Sequence, residues 1–373
     1  MSGPARILVV NAGSSSLKLR ILDPEDQVVA RWDLPVVAGT VDRPALARTL
    51  AGVAPPDAIG HRIVHGGRRY LGPVRLDEAV ERNLNLLVDL APLHQPKSLD
   101  ALQAVKGVYP EVAAVACFDT AFHAGMPPAA TTYALPREWR DRWELRRYGF
   151  HGLSHGYATR RAGELLDRAP GTFRAVTCHL GAGASLAAVV DGRSVDTTMG
   201  FTPLEGLVMA TRSGSVDPGL LLWLQEHVGM PAEELAATLE NRSGLLGLAG
   251  TADMAQIIRR AEAGDQPAGL ALEVYLHRLR AGIAAMSAAM GGLDVLVFTG
   301  GVGEHAAAIR AAACSGLAFL GIEIDPAANA DSLPSGSPDR EIGARRAPVR
   351  ALVIEAREDL QIATEVRQVL GAA

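Results

Sequence analysis

The chain has 373 residues, 48% of them apolar and only 5% aromatic, with 36 basic and 41 acidic residues and a formal net charge of −5. That length points to two domains, and the well-mixed charge offers no basic stripe for nucleic acid or a membrane surface. Cys117, Cys178 and Cys314 are scattered, odd in number and without CxxC spacing, so reduced thiols in a cytoplasmic protein are expected. Residues 1–6 run straight into a strand with no apolar signal-peptide region. The most apolar span, 281–301, is interrupted by Gly291, Gly292 and Asp294, and reads as a helix end followed by a strand rather than a membrane span.

Strands are predicted at 7–10, 17–22, 28–33 and 58–64. The first two enclose Asn11-Ala12-Gly13-Ser14-Ser15-Ser16-Leu17-Lys18, a hairpin turn offering hydroxyls, backbone N–H groups near Gly13 and one ammonium. That set suits a phosphate, or equally a polar turn with a solvated lysine; the Walker spacing is missing. A helix follows at 96–108, then a buried strand at 112–118 ending in Asp119-Thr120. The pattern restarts after Gly149 with a helix at 155–167 and a strand running into Gly181-Ala182-Gly183, where Gly183 and Ser185 match Gly13 and Ser15. Two related hairpin-led domains are therefore expected, each with a phosphate turn. Asp217-Pro218 should cap a helix that stops at Gly229, and Thr251 should cap the helix bearing Ile257 and Ile258. A long helix spans 266–290, and a strand at 294–299 feeds a loop, Gly300-Gly301-Val302-Gly303-Glu304, after which another helix begins; N–H groups at such a glycine-rich helix start suit an anion. Residues 324–348 read as a surface excursion, followed by a strand at 349–354 and a helix from Glu358.

Polar residues recur where a core would not ask for them. The stretches are GHRIVHGG (60–67), APLH (91–94), FDTAFH (118–123), RRYGFHGLSH (146–155), MGFTPLEGL (199–207) and TRSGSVDP (211–218). Together with NAGSSSLK, HLGAG, FTGGVGE and the acidic pair Glu358-Asp359, and in this order, they resemble the acetate kinase family of the acetate and sugar kinase/Hsp70/actin superfamily.

The resemblance implies an α/β fold of two duplicated ribonuclease H-like, actin-like ATPase domains with the active site in the cleft between them. The division expected is 1–149 plus 359–373, and 150–358. It further implies reversible, magnesium-dependent transfer of the ATP γ-phosphoryl group to acetate, with manganese as an alternative metal, in a cytoplasmic homodimer. Carried over residue by residue, Asn11 and Glu358 serve the metal, and Lys18 lies near the nucleotide phosphates. Arg62 grips the substrate, while Asp119, His151 and Arg212 are the catalytic set. Val64, Leu93, Phe150 and Pro203 wall the methyl pocket. The nucleotide segments are His179, Leu180, Gly181, Ala182 and Gly183, then Asp253, Met254 and Ala255, then Gly301, Val302, Gly303, Glu304 and His305. His94 reads as a supporting residue, and His61, His65, His123 and His155 as structural.

The sequence departs from the family pattern on the nucleotide side. Ala182 stands for a usual Asn, Ala255 for an Arg, His305 for an Asn, and Leu153 for a Thr beside His151. These changes keep open another phosphoryl donor such as pyrophosphate, and a non-catalytic nucleotide sensor is the reading of a different class. Propionate or butyrate is the rival acceptor, since one methylene is worth only ~1–3 kcal/mol in an apolar pocket.

Overall fold

The computed structural model describes residues 4–13, 16–37, 40–91, 94–168, 172–330 and 339–371. The chain divides into two compact units. One comprises Met1–Ala124, Phe150–Tyr157 and Arg357–Ala373, the other Gly125–Gly149 and Ala158–Ala356.

The first unit is built on β1 (Ile7–Ala12), β2 (Ser16–Leu22), β3 (Val28–Val37), β4 (Thr40–Val41), β5 (Ala58–Ile63), β6 (Val74–Arg75) and β7 (Ala113–Phe118), in the sheet order β4-β3-β2-β1-β5-β7-β6. The β1–β2 hairpin is antiparallel, with Asn11 opposite Lys18, while β5 runs parallel to β1 and β7. Alternation along the strands sends Leu8, Val10, Leu17 and Leu19 to one face, against Leu46, Leu50 and Val105. Ile7, Val9, Ala58 and Cys117 go to the other, against Ile362, Ala363 and Val366. With both faces covered, the central strands read as unbroken apolar runs. Each fully buried aliphatic side chain contributes about 1.5–3 kcal/mol.

The C-terminal helix, Glu358–Gly371, lies so close to β5 that a Cβ on Gly60 would sit 2.4 Å from Ile362 Cγ2 and 2.8 Å from Val366 Cγ2. Gly60 and Arg62 share a face of β5, and Glu358, Ile362 and Val366 form one i, i+4, i+8 stripe of the helix. The close packing at Gly60 therefore brings Glu358 to the Arg62 end of the strand.

The second unit contains β8 (Arg174–Leu180), β9 (Ala184–Val190), β10 (Arg193–Thr197), β11 (Val295–Thr299), β12 (Arg340–Glu341) and β13 (Arg350–Val353), ordered β10-β9-β8-β11-β13-β12. Its run β10-β9-β8-β11-β13 repeats β3-β2-β1-β5-β7: two antiparallel pairings, then two parallel ones. The duplication expected from the sequence is thus present in the strand connectivity. Asp217 caps a helix at Pro218–Trp223 by accepting from Gly219 N, and the helix continues as a wider turn to a left-handed Gly229.

Three local expectations are corrected. Asp253, not Thr251, caps the helix at Met254–Glu262, because the Asp253 carboxylate reaches Gln256 N while Thr251 Oγ1 accepts from Asp253 N. The glycine segment after β11 is itself helical from Gly300, since Gly300 at φ +78° makes the turn without a loop. The 324–348 region is not merely an excursion: β12 pairs with β13, and Ile342 is fully buried.

Candidate active site

Four of the expected residues meet at one end of the first unit's sheet. Arg62, the penultimate residue of β5, points its guanidinium at Asp119, the first residue after β7. Nη2 reaches Oδ2 at 2.6 Å, and Nε lies 3.0 and 3.2 Å from the two carboxylate oxygens. Arg62 Nη1 also donates to Asn11 Oδ1 at 3.1 Å, and Asn11 Nδ2 donates to Glu358 Oε2 at 2.6 Å. Glu358 Oε2 lies 3.9 Å from Arg62 Nε. The side chain of Asp119 is 1% exposed and that of Arg62 14%. Burial raises the Asp119 carboxyl above the usual carboxylate range, with Arg62 opposing that rise and Glu358 adding to it. Burial also disfavours the Arg62 cation, but Asp119 and Glu358 more than reverse this, so its charge is fixed.

Asp119 is held by backbone as well. Its N–H donates to Ile63 O, prolonging the β5–β7 ladder by one bond, and its carbonyl accepts from Gly152 N at 2.8 Å. Gly152 follows His151, which sits in the left-handed region at φ +57°. Phe150, on the other side of His151, is 1% exposed and meets the His65 ring edge-on at 5.5 Å. The Gln95 side chain bonds both backbone groups of His65, and Thr120 Oγ1 accepts from Gly66 N. Val64 is buried, while Leu93 lies outside the described residues.

The opening hairpin turn works differently from its sequence reading. Gly13 N donates to Ser16 O at 2.9 Å, so that N–H closes the turn instead of facing an anion. Ser14 and Ser15 lie outside the described residues. Lys18 is exposed on β2 and shares the Asn11 face.

In the second unit, Arg212 Nε donates to Glu240 Oε2 at 2.8 Å and Nη1 lies 3.4 Å from Pro203 O, which ties the cation to the loop holding buried Pro203. That loop is braced by Glu205, which accepts from Tyr133 Oη at 2.6 Å and from Arg147 Nη2 at 2.7 Å. The Gly181-Ala182-Gly183 turn is closed by backbone alone: Gly181 N donates to Gly183 O, and Ala210 N to Ala182 O. His179 and Leu180 are the last residues of β8 and lead into it. Asp253 and Ala255 are exposed and Met254 is buried at the start of their helix. Within Gly300–His305, Gly301 and His305 are exposed, Gly303 is buried and Val302 partly so, whereas the Glu304 carboxylate turns back to accept from Gly300 N and Ala356 N. The first N–H of that helix is therefore already bonded within the protein.

A model of the acetokinase family matches residues 52–364. The chain belongs to the acetokinase family. It is 43% identical to the acetate kinase of Leifsonia xyli subsp. xyli, over 98% of this chain and 99% of that one. Among solved structures it is similar to Porphyromonas gingivalis acetate kinase at 34% identity and a TM-score of 0.89, covering 98% of this chain and 100% of that one. It is equally similar to a propionate kinase from Francisella tularensis subsp. tularensis, at 35% identity and a TM-score of 0.90, covering 99% and 100%. Of the four positions that the sequence set apart, Ala182, Ala255 and His305 are exposed in the second unit, whereas Leu153 is buried in the first.

The sequence named His123 only as structural and gave no role to Gly60, Gln95 and Thr120, which brace the first unit's strand end, or to Tyr133 and Glu205, which brace the Pro203 loop of the second. Their partners lie far along the chain, 30 residues away for Gln95 and 72 for Tyr133. The closely spaced HGG and FHG motifs were the available hint, since glycines beside histidines mark backbone that must approach something closely.

Proposed function

We propose that the chain is an acetate kinase, catalysing reversible transfer of the ATP γ-phosphoryl group to acetate to give acetyl phosphate and ADP. The observation that carries this reading is the Arg62–Asp119–Asn11–Glu358 network around the buried Asp119, a preset cation at a strand end, in a chain of the acetokinase family. A carboxylic acid such as acetate, with a pKa like the ~4.3 of a Glu side chain, is already ionised at neutral pH. It needs no strong base, and the obstacle is bringing it up to an anionic phosphate. Two like charges at 4 Å repel by ~4 kcal/mol at an effective dielectric of about 20.

Arg62 binds the acetate carboxylate and holds it for in-line attack. Arg212 and His151 stabilise charge on the equatorial phosphoryl oxygens. Asp119 keeps Arg62 oriented and takes no proton from the substrate. Val64, Phe150 and Pro203, with Leu93, exclude water from the methyl group. Lys18 and the 179–183, 253–255 and 301–305 segments serve the nucleotide.

The donor set on the first unit suits Mg²⁺, or Mn²⁺: amide and carboxylate oxygens from Asn11 and Glu358, with Asp119 adjacent and a net negative balance against Arg62. Among the described residues no group of three or more His, Cys, Asp and Glu makes a ready cage, which fits an ion held by one or two carboxylates and the nucleotide's own phosphates. Bound Mg²⁺ supplies charge neutralisation to the transferring phosphate.

A second reading, propionate as acceptor, is favoured by the likeness to the Francisella propionate kinase. Trapping acyl phosphate as the hydroxamate, with ATP and pyrophosphate each tested against acetate, propionate and butyrate, separates these readings. The account expects most product from ATP and acetate; no product from any pair contradicts it.

Three further properties complete the proposal. The cysteines are buried and free, which suits the cytoplasm, and no described helix is long and apolar enough to cross a membrane. Leu220, Leu222, Trp223 and Val228 expose about half of each side chain along one short helical stretch, which suits burial in a homodimer. Light scattering on the purified chain tests the dimer.

A further inference from the structure

We propose that His123 is a positioning residue for phosphoryl transfer, holding the turn that presents His151 through a hydrogen bond from its ring to the Phe150 carbonyl. This inference rests on the assignment of His151 to the transferring phosphoryl group.

Among the described residues His151 is one of five non-glycine residues with positive φ, a conformation that a bulky L residue keeps only when its neighbours hold it there. The turn is fixed on both sides. After His151, Gly152 N donates to Asp119 O at 2.8 Å, and a Cβ at Gly152 would lie 2.2 Å from that oxygen, so only glycine permits the approach. Before it, Phe150 O lies 3.1 Å from His123 Nε2. A carbonyl only accepts, so Nε2 carries the hydrogen and the neutral ring's Nδ1 does not. The ring is fully buried, edge-on to Phe122 at 5.5 Å and to His155 at 5.7 Å, which leaves it little freedom to turn away. Burial lowers the His123 pKa to about 4, with the Phe150 bond opposing, so the ring is neutral under ordinary conditions.

Both anchors come from one short segment. Asp119 ends β7, and His123 closes the tight helical turn Ala121–His123 that follows it. The segment that orients Arg62 through the Asp119 carboxylate thus orients His151 through the Asp119 carbonyl and the His123 ring. What this place requires is a neutral N–H donor of fixed reach, which glutamine can also supply.

Acyl-phosphate trapping with the full chain tests the role in wild type, His151→Ala, His123→Phe and His123→Gln. Phenylalanine keeps a ring and removes the donor. Its kcat should fall about 10- to 100-fold, as for a slight misplacement of a reacting group, with KM for acetate and ATP within about 3-fold of wild type. Glutamine should restore most of that loss. Wild-type kcat in His123→Phe, or equal impairment in the Gln and Phe variants, overturns the proposal. If His151→Ala keeps full activity, the His151 assignment fails and this role with it; if His151→Ala is impaired and His123→Phe is not, the positioning role alone fails. Should the Phe variant not fold, nitrogen-15 NMR of the wild-type histidines decides. A protonated Nε2 in a hydrogen bond supports the proposal, and an Nδ1–H tautomer for His123 overturns it.

Discussion

The two units carry the same strand connectivity but build their strand ends from different materials. In the first, the end of β5 and β7 is a network of charged and amide side chains, nearly sealed from solvent and bonded to one another. In the second, the turn after β8 is closed by backbone groups, and its one side chain, Ala182, faces outward. A site made of interlocked side chains loses its geometry when one member changes. A site made of backbone tolerates side-chain substitution. Ala182, the outward side chain of that turn, can therefore change without altering the turn's backbone bonds, and the contrast can be broken experimentally.

The largest effect is expected at Asp119. Asp119→Asn leaves Arg62 a buried cation without its carboxylate, and breaking such a pair typically costs about 3–5 kcal/mol in stability. Turnover should fall by roughly 10³-fold through misplacement of Arg62, measured by coupled assay, with the loss of stability read by denaturant titration. Near-normal turnover would show that the network is dispensable.

Gly60→Ala probes the same network from beneath. The added methyl meets Ile362 and Val366, so overpacking should cost about 1–3 kcal/mol. Because the helix bearing Glu358 must shift, half-saturation by Mg²⁺ should rise as well. Loss of stability with unchanged metal dependence would separate packing from function.

Acid should weaken the first unit selectively. Burial lowers His61, His65 and His123 to about 4, against an ordinary value of about 6.5. The unfolded chain therefore binds these protons more readily. Their contribution is complete above about pH 6.5 and is lost as pH falls through that value toward 4, at up to about 1.4 kcal/mol per pH unit for each ring. The raised Asp119 carboxyl has the opposite sign, one group against three. The thermal midpoint should drop between about pH 7 and about pH 5, and hydrogen exchange should locate the opening in the first unit.

The smallest effect is expected at Ala182. Ala182→Asn adds an amide to an exposed backbone turn, and one added hydrogen bond of about 0.5–1.5 kcal/mol should lower KM for ATP by about 2- to 10-fold with kcat unchanged. A large change in kcat there would erase the contrast between the units.

Much of the fold was legible because periodicity carries it. The hairpins, the β5 and β7 strands, and the helix from Glu358 all follow from apolar alternation, caps and glycine stops. The edge strands β6 and β12 were not, since two residues have no period and exist only by pairing with β7 and β13. The glycine segment misled in another way: Gly300 at φ +78° lets the helix begin where a loop was expected. At the candidate site, the residue types of Asn11, Arg62, Asp119 and Glu358 could be read from motifs, but not that Arg62 joins the other three. His123 was read only as structural and Gly60 was given no role, because their meaning lies in partners supplied by distant chain, Phe150 and Ile362.

The most direct test of the account is the kinetics of Arg62→Lys. Lysine keeps the charge but loses the planar fork that meets Asp119 and Asn11 together. The account predicts that kcat/KM for acetate falls by roughly 10²-fold or more while KM for ATP stays within about 3-fold. Acetyl phosphate formation at the wild-type rate, or a loss confined to ATP, would contradict it.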